Sequence, residues 1–543
     1  MPPRVYFATT WNEKCGIADY SRNLVTSLRK LGVDVRIIAN ITDRREWEDE
    51  DFVVRCWKVG QLDPLVEAAS KLKVHDILHL QHEWGMMGNV KEMEDFINKF
   101  HALKVHPKLV ITVHYVGPDN TWAKLKHKID ALVVHSKHMV IPASDLGEKT
   151  YVIPHGCPVY PPISREEARK MTGLSGKIVA SFGFMFPHKG WERVIEALAP
   201  LKDVKFMLVS SFFGKGETTN EYERRLKELA NEKGVELIHI YDKFKLSEFM
   251  PYLASADIFI TSWEVYDRGI TSGSAMMGLT ARVPIVTNDT NIYSLLHPYA
   301  LVVHRHDTEA LTKAIKLLLE DKHVYMKYKK LAEEGYAKLN WDTVARSYVK
   351  LYSKLFWDCF RNPEPLPEDY VPPPHPDGIY DDPLQKERLD WLKKNIEGRI
   401  LEVGCATGYV LQYVGGHVGV DINPERLEVA RQRGLEVYLM DATDLKFPDN
   451  SFDTVLLPEV LEHLEPEQAV KSLREALRVG RKVLITLPKE WPDIEHRWEP
   501  TKESVDMLIW EALLDLPQKE KIEIKMEETE KFFLVQLLSK DAC

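Results

Sequence analysis

The stretch FGFMFPHKGW, Phe182 to Trp191, runs from an apolar segment into a turn that ends in Lys189-Gly190 at the mouth of a helical pattern. An ammonium group there, backed by backbone N–H groups, suits a phosphate. A few residues earlier stand Phe184, Met185 and Phe186, none of which supplies a guanidinium. A replacement is on offer in VYDRGITSGSAM, where Arg268 precedes Thr271-Ser272-Gly273, hydroxyls and N–H groups expected at a helix N-terminus. A surface pair of Arg268 with Asp267 is the alternative. Three more groups follow apolar runs: Gly16 in TTWNEKCGIADYSRNL, His82 and Glu83 in HLQHEWG, and His114 in VITVHY. Glycine has no Cβ and lets a phosphate approach the backbone. One such residue alone reads as an ordinary loop or surface position; three at corresponding places point to a site.

A second set lies downstream. RILEVGCATGYV puts Gly404 and Gly408 in a turn between a strand pattern and a helix pattern, and Asp421 closes the next apolar run. A carboxylate there can accept hydrogen bonds from both hydroxyls of a ribose. His463 in LEHL and His496 in DIEHRWEP follow later runs. A neutral histidine near pH 7 can take the proton of a reacting hydroxyl, or it can be structural.

The elements that must position these residues alternate between strands and helices. In 1–162 the runs RVYFAT, VRIIA, DILHLQ, LVITVH, ALVVHS and YVIP have strand length and β-branched content; in 163–357 so do KIVASF, KFMLVS, ELIHIY, DIFITS, PIVT and ALVVH. Amphipathic segments such as Tyr20–Leu31 and Thr219–Lys233 separate them, the pattern of parallel sheets flanked by helices. The expected class is α/β, with two doubly wound domains facing one another and split near Pro161-Pro162. Ligands of such sheets sit beyond the carboxyl ends of the strands. Eight prolines between Pro363 and Pro383 make 358–383 a stiff linker. In 384–543, after an amphipathic segment Leu384–Asn395, the alternation recurs in RILEVG, HVGVD, EVYLMD, DTVLL, KVLIT and FFLVQLL.

CGIADYSRNL, HLQHEWG, VIPHG, FGFMFPHKG and FITSWEVY…ARVPIVTND, in that order, resemble the family 4 retaining glycosyltransferases of GT-B fold over about 1–357, and NWDTVARSYVKLY resembles their last helix, which crosses back onto the first domain. The resemblance implies an acceptor domain (1–162), a donor domain (163–357), a nucleoside-diphosphate sugar, retention at the anomeric carbon and no essential metal. No DxD motif follows a strand. Residue by residue, it makes Lys189 the phosphate lysine, His114 the histidine touching the donor sugar, Gly16 the glycine near the diphosphate, and Glu264 the first of two glutamates at E-x7-E spacing. The second glutamate is absent: Ser272 stands in one registration and Met277 in the other. The chemistry would be stabilisation of a departing diphosphate, where one preorganised donor is worth about 3 kcal/mol. A non-catalytic module that presents a glycan is the alternative.

RILEVGCATGYV, GVD, MDATDLKFPDNSFDTVLL and EVLEHL closely resemble the class I S-adenosylmethionine-dependent methyltransferases over about 384–490. That implies S-adenosylmethionine held by Glu402, Gly404 and Gly408, with Ala406 where glycine is common, Asp421 on the ribose, Ile422 beside the adenine and Asp441-Ala442 at its edge. No NPPY-like motif follows the fourth run, which favours O-methylation of a sugar or small molecule, with His463 a candidate base. An NAD-binding Rossmann unit is the alternative, and it leaves MDATDL…FPDNSFD unexplained.

Net charge is −10, divided as 49 Lys+Arg against 45 Asp+Glu in 1–360 and 23 against 37 in the remainder. The acidic second part argues against a nucleic-acid partner. The basic run Trp122–Met139 could lie on anionic lipid beneath a lipid-linked acceptor, but a solvated helix face is the expectation. Six cysteines without CxxC spacing argue against a zinc site or a disulfide framework. No apolar run nears the ~20 residues of a membrane span, and MPPRVYFATT reads as a first strand rather than a leader. The expected enzyme is cytoplasmic, at most at the inner face of the membrane, with glycan or lipid-linked acceptors. Its oligomeric state is not readable.

Overall fold

The computed structural model describes residues 3–117, 121–140, 147–211, 217–241, 245–262, 269–362, 383–489, 495–517 and 519–540. Contacts divide the chain into two compact units, Arg4–Tyr352 and the part from Ser353 onward. The division falls inside the helix Trp341–Trp357. Of the expected linker, 363–382 lies outside the described residues.

The first unit contains two parallel sheets. One holds β1 (Arg4–Thr9), β2 (Asp34–Asn40), β3 (Val53–Trp57), β4 (Ile77–His82), β5 (Lys108–Val113), β6 (Ala131–Val134) and β7 (Thr150–Val152), in the order β3-β2-β1-β4-β5-β6-β7. The other holds β8 (Lys177–Phe184), β9 (Val204–Ser211), β10 (Leu237–Tyr241), β11 (Ile258–Thr261), β12 (Ile285–Asn288) and β13 (Leu301–Val303), in the order β10-β9-β8-β11-β12-β13. Central strands are covered on both faces, so β4 and β6 are buried at every residue; ALVV is wholly apolar, whereas ILHLQH also buries His79, Gln81 and His82. Edge strand β3 is different. Val54 is 63% exposed and Arg55 is turned to Asp49, so VVRCW carries no such run and escapes a reading by hydrophobicity.

The two sheets of this unit meet through an antiparallel bridge between Tyr115 and Ile270. The helix Trp341–Trp357 packs back on the first sheet. Tyr352 Oη lies 2.6 Å from His79 Nδ1, Tyr348 Oη 2.6 Å from Tyr20 Oη, and Ser27 Oγ donates to Asp342 at 2.7 Å. The basic run Trp122–Met139 is not one helix. A short helix ends at Leu125, a single turn covers Lys126–Lys128, and β6 then enters the core, so it offers lipid no continuous helical face.

The second unit has one sheet: β14 (Ile400–Val403), β15 (Val418–Asp421), β16 (Glu436–Leu439), β17 (Phe452–Pro458), β18 (Gly480–Pro488), β19 (Ile522–Glu528) and β20 (Phe532–Ser539), in the order β16-β15-β14-β17-β18-β20-β19. The first five are parallel, and β20 runs antiparallel to both β18 and β19. Helix Pro383–Asn395 precedes β14. The architecture is therefore α/β throughout, with two facing Rossmann-like domains and a third. Among the described residues no helix is long and apolar enough to cross a membrane.

Candidate functional site

Lys189 is set by the turn that follows β8. Met185 points into the core, Pro187–Lys189 forms one 3-10 turn, and Gly190 ends it in the left-handed region at φ 62°. Trp191 opens the next helix and anchors it by donating from Nε1 to Ser181 Oγ at 2.9 Å. The turn sends Lys189 inward, where its ammonium donates to Ser274 Oγ at 2.8 Å. Ser272 Oγ is 3.2 Å from the same hydroxyl. Gly183, at φ 145°, leaves the room: a Cβ there would lie 3.0 Å from Lys189 Nζ. Burial draws the lysine pKa down from 10.5 to about 8. An anion placed beside it would offset that desolvation.

Thr271-Ser272-Gly273 differ from expectation in their setting. They precede a 3-10 turn, Ser274–Met276, and a helix of only five residues, Met277–Ala281. The Ser272 N–H already donates to Ile292 O at 3.3 Å, and Thr271 Oγ1 donates to Met139 Sδ at 3.6 Å. Gly273 faces the other lobe, since a Cβ there would meet His155 Nε2 at 2.8 Å. Glu264 and Arg268 lie outside the described residues. Ser274 was passed over in the sequence because nothing in SGSAM marks it; its role appears only when Lys189 reaches it.

Across the bridge, the first lobe contributes a chain of buried aromatic and imidazole rings. His114 Nε2 donates to Gln81 Oε1 at 3.0 Å, and its Nδ1 lies 3.4 Å from His135 Nε2. Burial, reinforced by His135 and His155, holds its pKa well below 6.5, so the ring is neutral at pH 7. Both nitrogens are engaged within the lobe, so contact with a sugar requires one of these bonds to be given up. His82 is the last residue of β4 and lies in the core rather than in a loop. Glu83 caps the helix Trp84–Met87 by accepting from Gly85 N at 2.7 Å. Gly16 opens the helix Gly16–Lys30 and has open space where a Cβ would stand.

In the second unit the turn after β14 is left-handed at Gly404 (φ 72°), Ala406 (φ 45°) and Gly408 (φ 78°). A Cβ on Gly404 would collide with Val460 at 2.5 Å, and one on Gly408 with Leu435 at 2.2 Å. Asp421 ends β15; its carboxylate accepts from Ala406 N and Asn423 N, both at 2.8 Å, and each oxygen keeps a lone pair for a further donor. Beside it Ile422 is 72% exposed, an apolar platform at the strand end. Asp441 holds the next turn by accepting from Thr443 N at 2.7 Å, and Ala442 packs on the core beside it.

Glu402 is buried in β14, and its Oε2 has no hydrogen-bond partner. Burial pushes its carboxyl well above the usual range, while Arg388 opposes the shift. Arg388 is 1% exposed, pairs with Glu459 at 2.7 Å, and keeps Nε and Nη2 without hydrogen-bond partners. The unit thus buries an acceptor on Glu402 and donors on Arg388 whose charges act on one another, groups of the two kinds an amino-acid zwitterion needs. The chemistry of these groups is compatible with S-adenosylmethionine: Glu402 and Arg388 would face its amino-acid end, Asp421 its ribose, and Ile422 and Ala442 its adenine. Arg388 was missed because it sits in a helix before the glycine turn, where one arginine among several charged residues carries no mark.

His463 lies in the 3-10 turn Leu461–His463 after β17, with its ring 5.1 Å from that of His496. Its Nδ1 is 3.8 Å from Glu495 Oε2.

Residues 164–338 match the profile of glycosyl transferases group 1, and residues 401–485 that of a methyltransferase domain. Among curated proteins, an uncharacterized protein of Methanocaldococcus jannaschii is 35% identical over 104 residues, 19% of this chain and 51% of that protein. A phosphatidylethanolamine N-methyltransferase of Cereibacter sphaeroides is 37% identical over 100 residues, 16% of this chain and 49% of the relative. The chain spans about half the length of these relatives. Among solved structures, sucrose-phosphate synthase from Thermosynechococcus elongatus superposes with a TM-score of 0.53 at 18% identity, covering 65% of this chain and 99% of that one. HepE of Anabaena in complex with UDP does so with a TM-score of 0.51 at 13% identity, covering 65% and 100%. These likenesses establish the fold.

Proposed function

We propose that this chain, which joins a group 1 glycosyltransferase domain to a methyltransferase domain, builds glycans by two successive group transfers. The first unit moves a sugar from a nucleoside diphosphate to a glycan or lipid-linked acceptor, with retention and without a metal. The observation that carries this is the inward ammonium of Lys189, buried against Ser274 with Ser272 alongside at the carboxyl end of β8. A cation held in a low-dielectric pocket stabilises charge that develops on a departing diphosphate. Gly16 leaves the backbone open on the opposite lobe, and His114, held neutral, positions without adding charge. Arg268 and Glu264 complete the set, Arg268 supplying the guanidinium that Phe184, Met185 and Phe186 do not. The complex of HepE with UDP supports a nucleotide of this kind.

The second unit methylates a hydroxyl. S-adenosylmethionine, when bound, supplies an electrophilic methyl group. Glu402 and Arg388 fix its amino-acid end, Asp421 its ribose, and the hydroxyl proton leaves toward the groups around His463.

Nucleotide release tests the first half directly. Full-length protein is incubated with UDP-, GDP-, ADP- and dTDP-sugars, with and without glycan acceptors. One nucleotide class should be released by the wild type, and Lys189→Ala should slow release by about 100-fold, the loss of about 3 kcal/mol from one donor. If no donor is turned over while S-adenosylmethionine is still consumed, the first unit is a glycan-presenting module instead.

A further inference from the structure

We propose that Glu462, His463 and His496 form a binding site for a divalent transition-metal ion at the methyl-acceptor end of the second unit. One ligand atom from each of the three residues lies within 4.8 Å of the others. They come from two segments locked together. Glu462 and His463 occupy the turn after β17, and Arg497 N donates to Glu462 O at 2.7 Å. The fully buried Trp498 donates from its indole to Leu461 O at 3.1 Å. The segment bearing His496 is therefore fixed to the segment bearing the other two by two hydrogen bonds from the residues that directly follow it.

The donor set has the right chemistry. Two imidazoles and one carboxylate suit a borderline cation such as Zn²⁺, Mn²⁺ or Fe²⁺. Glu462 is fully buried and His496 is 8% exposed, whereas the His463 side chain is 35% exposed. The cluster has a closed floor and one open side. Three protein ligands leave coordination positions for oxygens of a substrate, the arrangement of a catalytic rather than a structural site. Glu495, near His463, stands at the rim. No sequence spacing announces the cluster, because His463 and His496 belong to different loops and only the adjacency of β17 and β18 unites them.

For its role, though not its existence, this site rests on the reading of the second unit as an O-methyltransferase. An ion there would bind the acceptor hydroxyl, lower its pKa and orient it, and adjacent hydroxyls of a sugar could fill two open positions. His463 then acts as a ligand rather than as a free base.

Metal content of the full-length protein tests the proposal. The protein is stripped with chelator, equilibrated separately with MnCl₂ and ZnCl₂, and freed of excess ion by gel filtration. One ion per chain should remain with at least one of the two metals, and thermal melting of the second unit should move upward. His463→Asn and Glu462→Gln should each weaken retention by about tenfold or more, the scale seen when even an outer-shell partner is lost. His463 is partly exposed, so its variant keeps the test valid if changes at the buried positions disturb folding. Failure to retain either ion overturns the site, as does equal retention by wild type and His463→Asn. Binding of S-adenosylmethionine by equilibrium dialysis separates the two readings, because it depends on Glu402 and Arg388 and should be unchanged in His463→Asn.

Discussion

A lysine pKa near 8 titrates within the range of ordinary assays. The diphosphate needs the charged form. The kcat/KM for the sugar donor should therefore be flat below about pH 8 and fall by roughly tenfold per unit above it. A bound diphosphate raises the lysine pKa, so the limb in kcat should lie higher. Persistence of the lower limb in Lys189→Met would assign it to another group. For stability, the folded pKa lies below the ordinary 10.5, so the native state binds fewer protons than the unfolded chain between about pH 8 and 10.5 and this group's contribution rises with pH across that window. Glu402 carries the opposite sign. Its pKa is raised, so its contribution is fully present below the ordinary 4.5 and is lost as pH rises through the folded value. The ammonium of S-adenosylmethionine favours the ionised carboxylate, so affinity measured by calorimetry should improve with pH over that same range, and Glu402→Gln should abolish the dependence. At Gly183, φ 145° strains any L side chain, and a methyl group would stand 3.0 Å from the lysine nitrogen and push it aside. Gly183→Ala should cost about 1–3 kcal/mol in chemical denaturation and weaken donor binding alongside.

At the scale of elements, the helix Trp341–Trp357 holds the first lobe through polar contacts rather than only apolar ones. His79 is fully buried, with Nδ1 2.6 Å from Tyr352 Oη and Nε2 2.7 Å from Thr112 Oγ1. Tyr352→Phe strands one imidazole nitrogen and should lower stability by about 1–3 kcal/mol. An unchanged urea midpoint would show that the helix is held by its apolar face alone. The same scale marks the limit of sequence reading. Central strands such as β4 and β8 were legible because both faces are covered and apolar residues dominate each run. Strands β3 and β19 were not, because an edge strand exposes half its side chains; IEIKMEE has three glutamates and an exposed Ile524. The basic run before β6 looked helical from its lysines, yet its apolar half belongs to the core of the sheet.

At the scale of the whole chain, the two units have separate cores, and one profile match falls in each. Differential scanning calorimetry should show this as selective stabilisation. A donor nucleotide should raise the transition of Arg4–Tyr352, and S-adenosylhomocysteine that of the remainder, each by about 2.7 kcal/mol at roughly 100 times its Kd. If either ligand moves both transitions equally, the units unfold as one.

Local chemistry was decided by the chain itself. Glycines at 404 and 408, the acid at 421 and Lys189 in FGFMFPHKG stand at strand ends or in the turns that follow them, and a strand end next to a turn is a matter of neighbours in sequence. Partnerships between distant residues were decided by packing. Lys189 meets Ser274 across 85 positions, Arg388 pairs with Glu459 across the unit, and His496 meets Glu462 and His463 because β17 and β18 lie side by side. Side-chain direction depends on what is packed against it, and that information is spread over the whole fold rather than held at any one position.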